Sequence, residues 1–353
     1  MEHQFNRDVR IFCICNSGSM TLIISKFIES RIDVVGLCTR KVGWLSNKKR
    51  ELSIYLKKNG IYPFKTFEYF GPADIIGSPC HIAKVQGIPV FYSNELDMSN
   101  FIARIDELNI DIILVSGFHR ILKKELINLP KIGVYNIHPS ILPYHRGGTP
   151  NRWVIRNGDN VTGVTVHKLT EDVDAGDIVI SREIAVTNMM SWGELEEISA
   201  RASVNLALEF VRRASVDKTF LDRCIKQDHS QATYESSYRG DNLNIDFSRS
   251  YIETCRQLRA ILPKSGIFFC YGNVVLCLYE FEKYAVDENS MIHQKRAGRI
   301  AIENGCLLVR FSEWVMKINR CLLNGSPVAA GYITDKYGIK DGDIFYSPSL
   351  NGV

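Results

Sequence analysis

The chain has 353 residues, 45% of them hydrophobic and 23% charged, a globular composition too long for one comfortable domain and read here as two. Lys and Arg number 43 against 39 Asp and Glu, and a formal charge of +4 lacks the footprint of a dedicated nucleic-acid binder. Ten scattered cysteines without a CxxC pair, an amino terminus (MEHQFNRDVR) without an apolar core and no window near ~18 apolar residues point to reduced thiols in a cytoplasmic protein with no membrane span.

In chain order, Val9 to Cys15, Val34 to Cys38, Ile88 to Phe91, Ile110 to Ser116 and Gly133 to Ile137 are short β-branched runs that alternate with helical patterns. Such alternation implies βαβ units and a parallel sheet. Asn16-Ser17-Gly18-Ser19 forms a turn opening a helix from about Met20 to Ser30, where backbone amides can meet an anion. The turn is not GxGxxG, so a dinucleotide fingerprint is absent. From Lys41 to about Lys84, the basic stretch NKKRELSIYLKKNG and the aromatics Tyr62, Phe64, Phe67, Tyr69 and Phe70 depart from a minimal doubly wound sheet. They read as an inserted helical excursion with a solvated lysine face, more often the meaning of a charge run than a contact with substrate or partner.

Ligands of open α/β sheets sit beyond the carboxyl ends of the strands, which singles out the segments after Ser116 and Ile137. NIHPSILPYHRGGTPNRW places Asn136 and His138 two apart in an extended segment, hence on one face. Two further strands, Gly163 to Leu169 and Asp177 to Ile184, flank an acidic loop with Asp172, Asp174 and Asp177, one of which can reach the imidazole. An amide, an imidazole and a carboxylate together suit acyl transfer: two donors for a developing oxyanion, and a carboxylate that favours the charged imidazole and passes protons. Ser140 lies in a proline-flanked turn rather than a GxSxG elbow, so direct transfer to an incoming amine is simpler than a covalent acyl-enzyme. His3, His81, His145, His229 and His293 are isolated from one another and from cysteine pairs, so no metal is expected.

The pattern N-x-H-P-S-x-L-P-x-x-R-G, followed by Asp174-Ala175-Gly176-Asp177, resembles the formyltransferases that use N10-formyltetrahydrofolate. These include the sugar-nucleotide N-formyltransferases, methionyl-tRNA formyltransferase and glycinamide ribonucleotide transformylase. The resemblance covers roughly Val9 to Phe210 and implies an active enzyme with a Rossmann-like, doubly wound, mainly parallel α/β sheet. It implies Asn136, His138 and Asp174 as the catalytic set: a primary amine attacks the formyl carbon, and Asn136 and His138 hold the oxyanion. Asp174 would raise His138 above the ordinary value of about 6.5 and keep it protonated. The resemblance also implies a pterin pocket lined by backbone groups of Arg120, Ile121 and Leu122 and closed by the loop carrying Thr170, Asp172 and Val173; it gives His119 no role.

In this family the segment after the histidine decides the acceptor. Here Arg146 and Arg152 stand where guanidinium groups can hold an anionic acceptor, with Gly147 and Trp153 beside them. Trp153 is expected in the core at the start of a helix, with an edge toward a base or sugar. A helix near Trp192 to Arg213 ends the catalytic domain (1–213), a polar linker comes next (214–240), and 241–353 forms a smaller OB-like β-rich domain resembling the carboxy-terminal domain of the tRNA and some sugar enzymes. That domain should open with a helix from Ser248 to Ala260 striped by Ile252, Cys255, Leu258 and Ile261. Strands are expected at Gly266 to Tyr271, Val274 to Phe281, Gly298 to Ile302 and Cys306 to Phe311.

From Arg239 to the end there are 14 Lys and Arg against 12 Asp and Glu, a weak balance for a tRNA surface. CICNSGSM also lacks the phenylalanine-alanine-glycine-threonine-proline turn of the tRNA enzyme, and HRGGTPNRW departs from its arginine-glycine-alanine-alanine-proline run. The expected acceptor is therefore a nucleotide-linked amino sugar, a dTDP-amino-dideoxyhexose for surface polysaccharide, with methionyl-tRNA as the alternative and tRNA binding not expected. A folate-dependent hydrolase or a silent binding module is the rival from another class. The resemblance further implies a homodimer.

Overall fold

The computed structural model describes residues 9–15, 18–40, 78–93, 98–118, 120–286, 292, 295–323 and 326–348. Asn16 and Ser17 of the expected turn, His119 and most of the expected 41–84 insertion lie outside the described residues.

The amino-terminal part is built on a seven-stranded sheet. Its strands are β1 (Ile11–Cys15), β2 (Val34–Thr39), β3 (Val90–Tyr92), β4 (Ile112–Ser116), β5 (Gly133–His138), β7 (Val161–Lys168) and β8 (Ile178–Ala185), in the order β3-β2-β1-β4-β5-β7-β8. Pairing is parallel from β3 to β5, and β7 and β8 continue it antiparallel. β1 is apolar and β4 apolar up to its last residue, Ser116, and both are buried at every position because layers cover both faces. Ile11, Cys13 and Cys15 of β1 enter one cluster with Met20, Ile23 and Phe27 of α1 (Gly18–Glu29), while Phe12 and Ile14 enter another with Phe91, Phe101 and Ile105. Helices α2 (Pro79–Val85), α3 (Met98–Asp106) and α4 (Lys124–Ile127) complete the connections.

The same alternation aims the site. In β5, Tyr135 and Ile137 join the first cluster and Val134 the second, so Asn136 and His138 share the Val134 face just where the strand runs out of the sheet. Helix α6 (Trp192–Val216) clamps the other face, starting from a Ser191–Glu194 capping box and seating the fully buried Phe210 ring 4.8 Å from that of Tyr135. Between β5 and β7 run the two-residue strand β6 (Arg146–Gly147) and α5 (Pro150–Asn157).

The polar stretch after α6 turns back along the amino-terminal part. Ile225 bridges Ile178 of β8, and β9 (Tyr234–Glu235) pairs parallel with β6. Then α7 (Tyr251–Arg259) opens an OB-like antiparallel unit of β10 (Ile267–Tyr271), β11 (Val274–Lys283), β12 (Ile300–Glu303), β13 (Cys306–Arg310), β14 (Val315–Leu323) and β15 (Ser326–Ala329), followed by α8 (Ala330–Tyr337). The order is β10-β11-β14-β13-β12, with β15 on β14. The final segment closes the sheet: Tyr346 bridges Cys270 at one edge and Ile344 bridges Arg299 at the other.

Two expectations are corrected. Ile252 is 61% exposed, because the Ser250–Glu253 capping box sets α7 so that Thr254, Gln257, Leu258 and Ile261 face inward. Strands β14 and β15 and helix α8 extend a sheet that the apolar runs ended at Phe311. Among the described residues no helix is long and apolar enough to cross a membrane.

Phe210→Ala should cost about 3–5 kcal/mol, since it opens a cavity beneath β5. Urea unfolding should show the midpoint fall with an unchanged slope.

Candidate active site

Asn136 and His138 leave the carboxyl end of β5 and meet Asp174, which sits in the β7–β8 loop with a left-handed φ of 48°. Asn136 Nδ2 donates to Asp174 Oδ1 at 3.2 Å and lies 3.1 Å from His167 Nε2. His167 Nδ1 faces the Lys168 carbonyl at 2.9 Å, so the network assigns its proton to Nδ1 and leaves Nε2 to accept from Asn136. His138 Nδ1 is 3.5 Å from Asp174 Oδ2, and its Nε2 is 2.8 Å from the His145 carbonyl, to which it donates. The Gly147 N–H completes the shell, donating to Asp174 Oδ2 at 2.8 Å.

Gly147 has to be glycine. At φ +96° a Cβ would meet the Glu235 carbonyl oxygen at 2.5 Å, because β9 pairs alongside β6 with Glu235 opposite Gly147.

The electrostatics follow from burial. Burial by itself would raise the Asp174 carboxyl, but His138, His167 and the Gly147 N–H hold it well below the usual carboxylate range. Asn136 and Gly147 donate whatever the charge on His138, so Asp174 is the ionised member of the pair. His138 is 4% exposed, and burial lowers its pKa despite the opposing pull of Asp174 and the His145 carbonyl. This runs against the expected protonated imidazole: desolvation outweighs the carboxylate and favours the neutral ring.

These groups line one wall of a cleft of about 760 Å³. Arg120, Ile121 and Leu122 line it from the loop after β4, and Thr170, Asp172 and Val173 from the loop after β7. Ile121 is 68% and Val173 46% exposed, so two aliphatic side chains stand open on the two loops. Arg120 turns its guanidinium to the Ser93 carbonyl at 2.8 Å. On the other side the cleft reaches Asn151 of α5 and Trp192 and Glu196 of α6.

The four residues expected at the acceptor are not brought together. Gly147 lines the cleft, but Arg146 is fully buried, with Nε and Nη2 on Gln227 Oε1 and Nη1 on the Tyr234 hydroxyl. A guanidinium committed to internal acceptors has no fork to offer a phosphate, which corrects its expected role. Arg152 is 8% exposed and stacks on the Trp192 ring at 3.9 Å. Trp153 donates Nε1–H to the Ser236 carbonyl and packs on Tyr238, outside the cleft lining.

Gln227 is the residue that sequence reasoning missed. Its Nε2 donates to the Asp174 and Gly176 carbonyls at 2.8 and 2.6 Å while its Oε1 takes Arg146, so one amide fastens the Asp174 loop to β6. Nothing local marks it; the contacts span dozens of residues. Among the described residues no His, Cys, Asp and Glu cluster is arranged to hold a metal.

A formyl transferase family model matches residues 16–211, more than half of the chain. The methionyl-tRNA formyltransferase of Thermotoga sp. (strain RQ2) is 27% identical over 264 residues, 71% of this chain and 83% of that protein. That of Alkaliphilus oremlandii (strain OhILAs) is 30% identical over 245 residues, 69% and 76% of the two. Among solved structures, the N-formyltransferase of Helicobacter canadensis, in complex with folinic acid and dTDP-3-aminofucose, superposes with a TM-score of 0.56 at 15% identity, covering 88% of this chain and 98% of that one. The chain therefore belongs to the formyl transferase family and is an N-formyltransferase.

Acid should expose the Asp174 linkage. Its folded pKa lies below the unfolded value of about 3.9, so its stabilisation is complete above that pH and is lost as pH falls through the folded value. Asp174→Asn, followed by thermal unfolding across pH, should be less stable at neutral pH and lose less stability below about pH 4 than the parent.

Proposed function

We propose that the cleft transfers a formyl group from N10-formyltetrahydrofolate to the primary amine of a nucleotide-linked amino sugar, with dTDP-amino-dideoxyhexoses as the leading acceptors and a homodimer as the working form. The observation that carries the transfer chemistry is the convergence of Asn136, His138 and Asp174 at the open end of β5. The donor supplies an activated formyl carbon. Exposed Ile121 and Val173 offer apolar flanks for a flat ring, and backbone groups of 120–122 offer edge contacts.

In this reading His138 Nδ1 takes the proton the amine sheds as its nitrogen bonds to the formyl carbon. Asp174 then steadies the imidazolium formed 3.5 Å away, and the same proton returns to the nitrogen that leaves. Asn136 serves the oxygen that gains charge. Its Nδ2 lines the cleft and can donate to that oxygen. Glu196, with Asp174, makes the acceptor side of the cleft attractive to an amine.

The sugar acceptor is supported by the departures CICNSGSM and HRGGTPNRW, by the near-neutral carboxy-terminal unit, and by a fold shared with a protein whose complex contains dTDP-3-aminofucose. Initiator methionyl-tRNA is the second reading, favoured by the 27% and 30% identities to methionyl-tRNA formyltransferases.

Pure protein with N10-formyltetrahydrofolate, a panel of dTDP-amino-dideoxyhexoses and charged initiator tRNA should add the mass of one formyl group to a sugar. Gain on tRNA alone establishes the second reading, and folate turnover without a formylated acceptor establishes a hydrolase.

The pH profile tests the neutral base. Because burial lowers His138, the acidic limb of kcat/KM should fall below about pH 6.5, the ordinary histidine value. His138→Asn should remove that limb and cost ~10²–10⁴ in turnover.

A further inference from the structure

His138 is held through a residue that the transfer reading leaves unused. The carbonyl that accepts from His138 Nε2 belongs to His145, whose backbone is left-handed at φ 56° and whose N–H donates to Thr233 Oγ1 at 2.7 Å. Its ring sits between two carboxylates: Nδ1 is 3.0 Å from Glu235 Oε1 of β9, and Nε2 is 3.0 Å from Asp159 Oδ2 just past α5. A neutral imidazole has one N–H and can satisfy only one of them; the imidazolium satisfies both. Burial opposes that charge, but Asp159 and Glu235 prevail and raise the group.

The ring also lines a second cavity of about 500 Å³, whose walls include Tyr144, Asn157, Asn160 and Thr233. Charged and titratable groups facing it are Asp159 from the exit of α5, Glu235 from β9, Tyr144 from its own loop and, across its own peptide, His138 of β5. Among the described residues no Lys or Arg lines this cavity. His145 lines this cavity and is not in the lining of the catalytic cleft.

We propose that His145 is a positioning residue for the transfer: its doubly clamped ring sets the peptide carbonyl that orients the ring of His138. This rests on the reading of His138 as the base. Loss of the His145 proton leaves one carboxylate facing a lone pair, frees the left-handed backbone to relax, and lets the His138 ring turn. The transfer then fails on the alkaline side for a reason unrelated to the acceptor amine.

The test uses the full chain. His145→Asn keeps a residue type that tolerates φ > 0 while removing the clamp; Glu235→Gln keeps shape and hydrogen bonding while removing one charge. The first variant should lower kcat about tenfold to a hundredfold, the cost of a small misplacement, with KM for either substrate little changed. The second should move the alkaline limb of kcat to lower pH, a shift that a merely structural contact does not produce. A Glu235→Gln profile superimposable on the parent overturns the proposal.

Imidazole resonances followed by NMR through a pH titration, without substrate, separate this proposal from the function it rests on. His145 should titrate above free histidine, and the His138 resonance should move with the same midpoint, shifting together in Glu235→Gln. A His138 resonance blind to that midpoint overturns the positioning role even where formyl transfer is observed. Coupled resonances without formylation of any acceptor uphold the positioning and overturn the assigned function.

Discussion

One buried anion organises the catalytic end of this protein. Asp174 is held as an anion inside the fold by donors from two directions, the Asn136 amide from β5 and the Gly147 N–H from β6, with the imidazoles of His138 and His167 each 3.5 Å away. A carboxylate stripped of such partners is costly, and breaking a buried pair typically costs about 3–5 kcal/mol. The surrounding backbone yields to that requirement. Asp174, His145 and Thr149 all adopt left-handed conformations that non-glycine residues avoid, and Gly147 accepts a close approach that no side chain could.

The protonation of His138 shows magnitude deciding between two correct principles. A carboxylate 3.5 Å away favours the imidazolium; enclosure at 4% exposure disfavours it more. For the proposed transfer, this direction suits a base better than a donor. Its Nε2–H is committed to a carbonyl, Nδ1 keeps its lone pair, and Asp174 is placed to receive the charge that proton transfer creates.

Much of this was legible in the sequence, and the limits have physical causes. IFCIC and IILVS read as strands because a parallel strand covered on both faces is a near-continuous apolar run. Asn136 and His138 were legible as a pair because strand geometry fixes residues two apart on one face. Burial of Arg146 was not: a guanidinium in a polar loop reads as exposed, and its partners Gln227 and Tyr234 lie 81 and 88 residues away. Ile252 misled because a helix stripe is set by the cap as well as by the apolar spacing. β14 escaped notice because Lys317, Asn319 and Arg320 interrupt it; it is a strand through pairing with β11, β13 and β15.

The segment between α6 and α7 therefore belongs to the chemistry. Gln227 fastens the Asp174 loop, Glu235 clamps His145 and pairs with Gly147, and Ser237 reaches the cleft wall. All lie beyond the residues that match the family model, 16–211, in a stretch whose polar composition reads as connection. Cut at the end of α6, the chain would keep Asn136, His138 and Asp174 and lose the groups that orient them: two carbonyls on the Asp174 loop without their amide donor, and an imidazole with one carboxylate instead of two. The smallest unit able to hold Asn136, His138 and Asp174 in register is the sheet together with this returning strap.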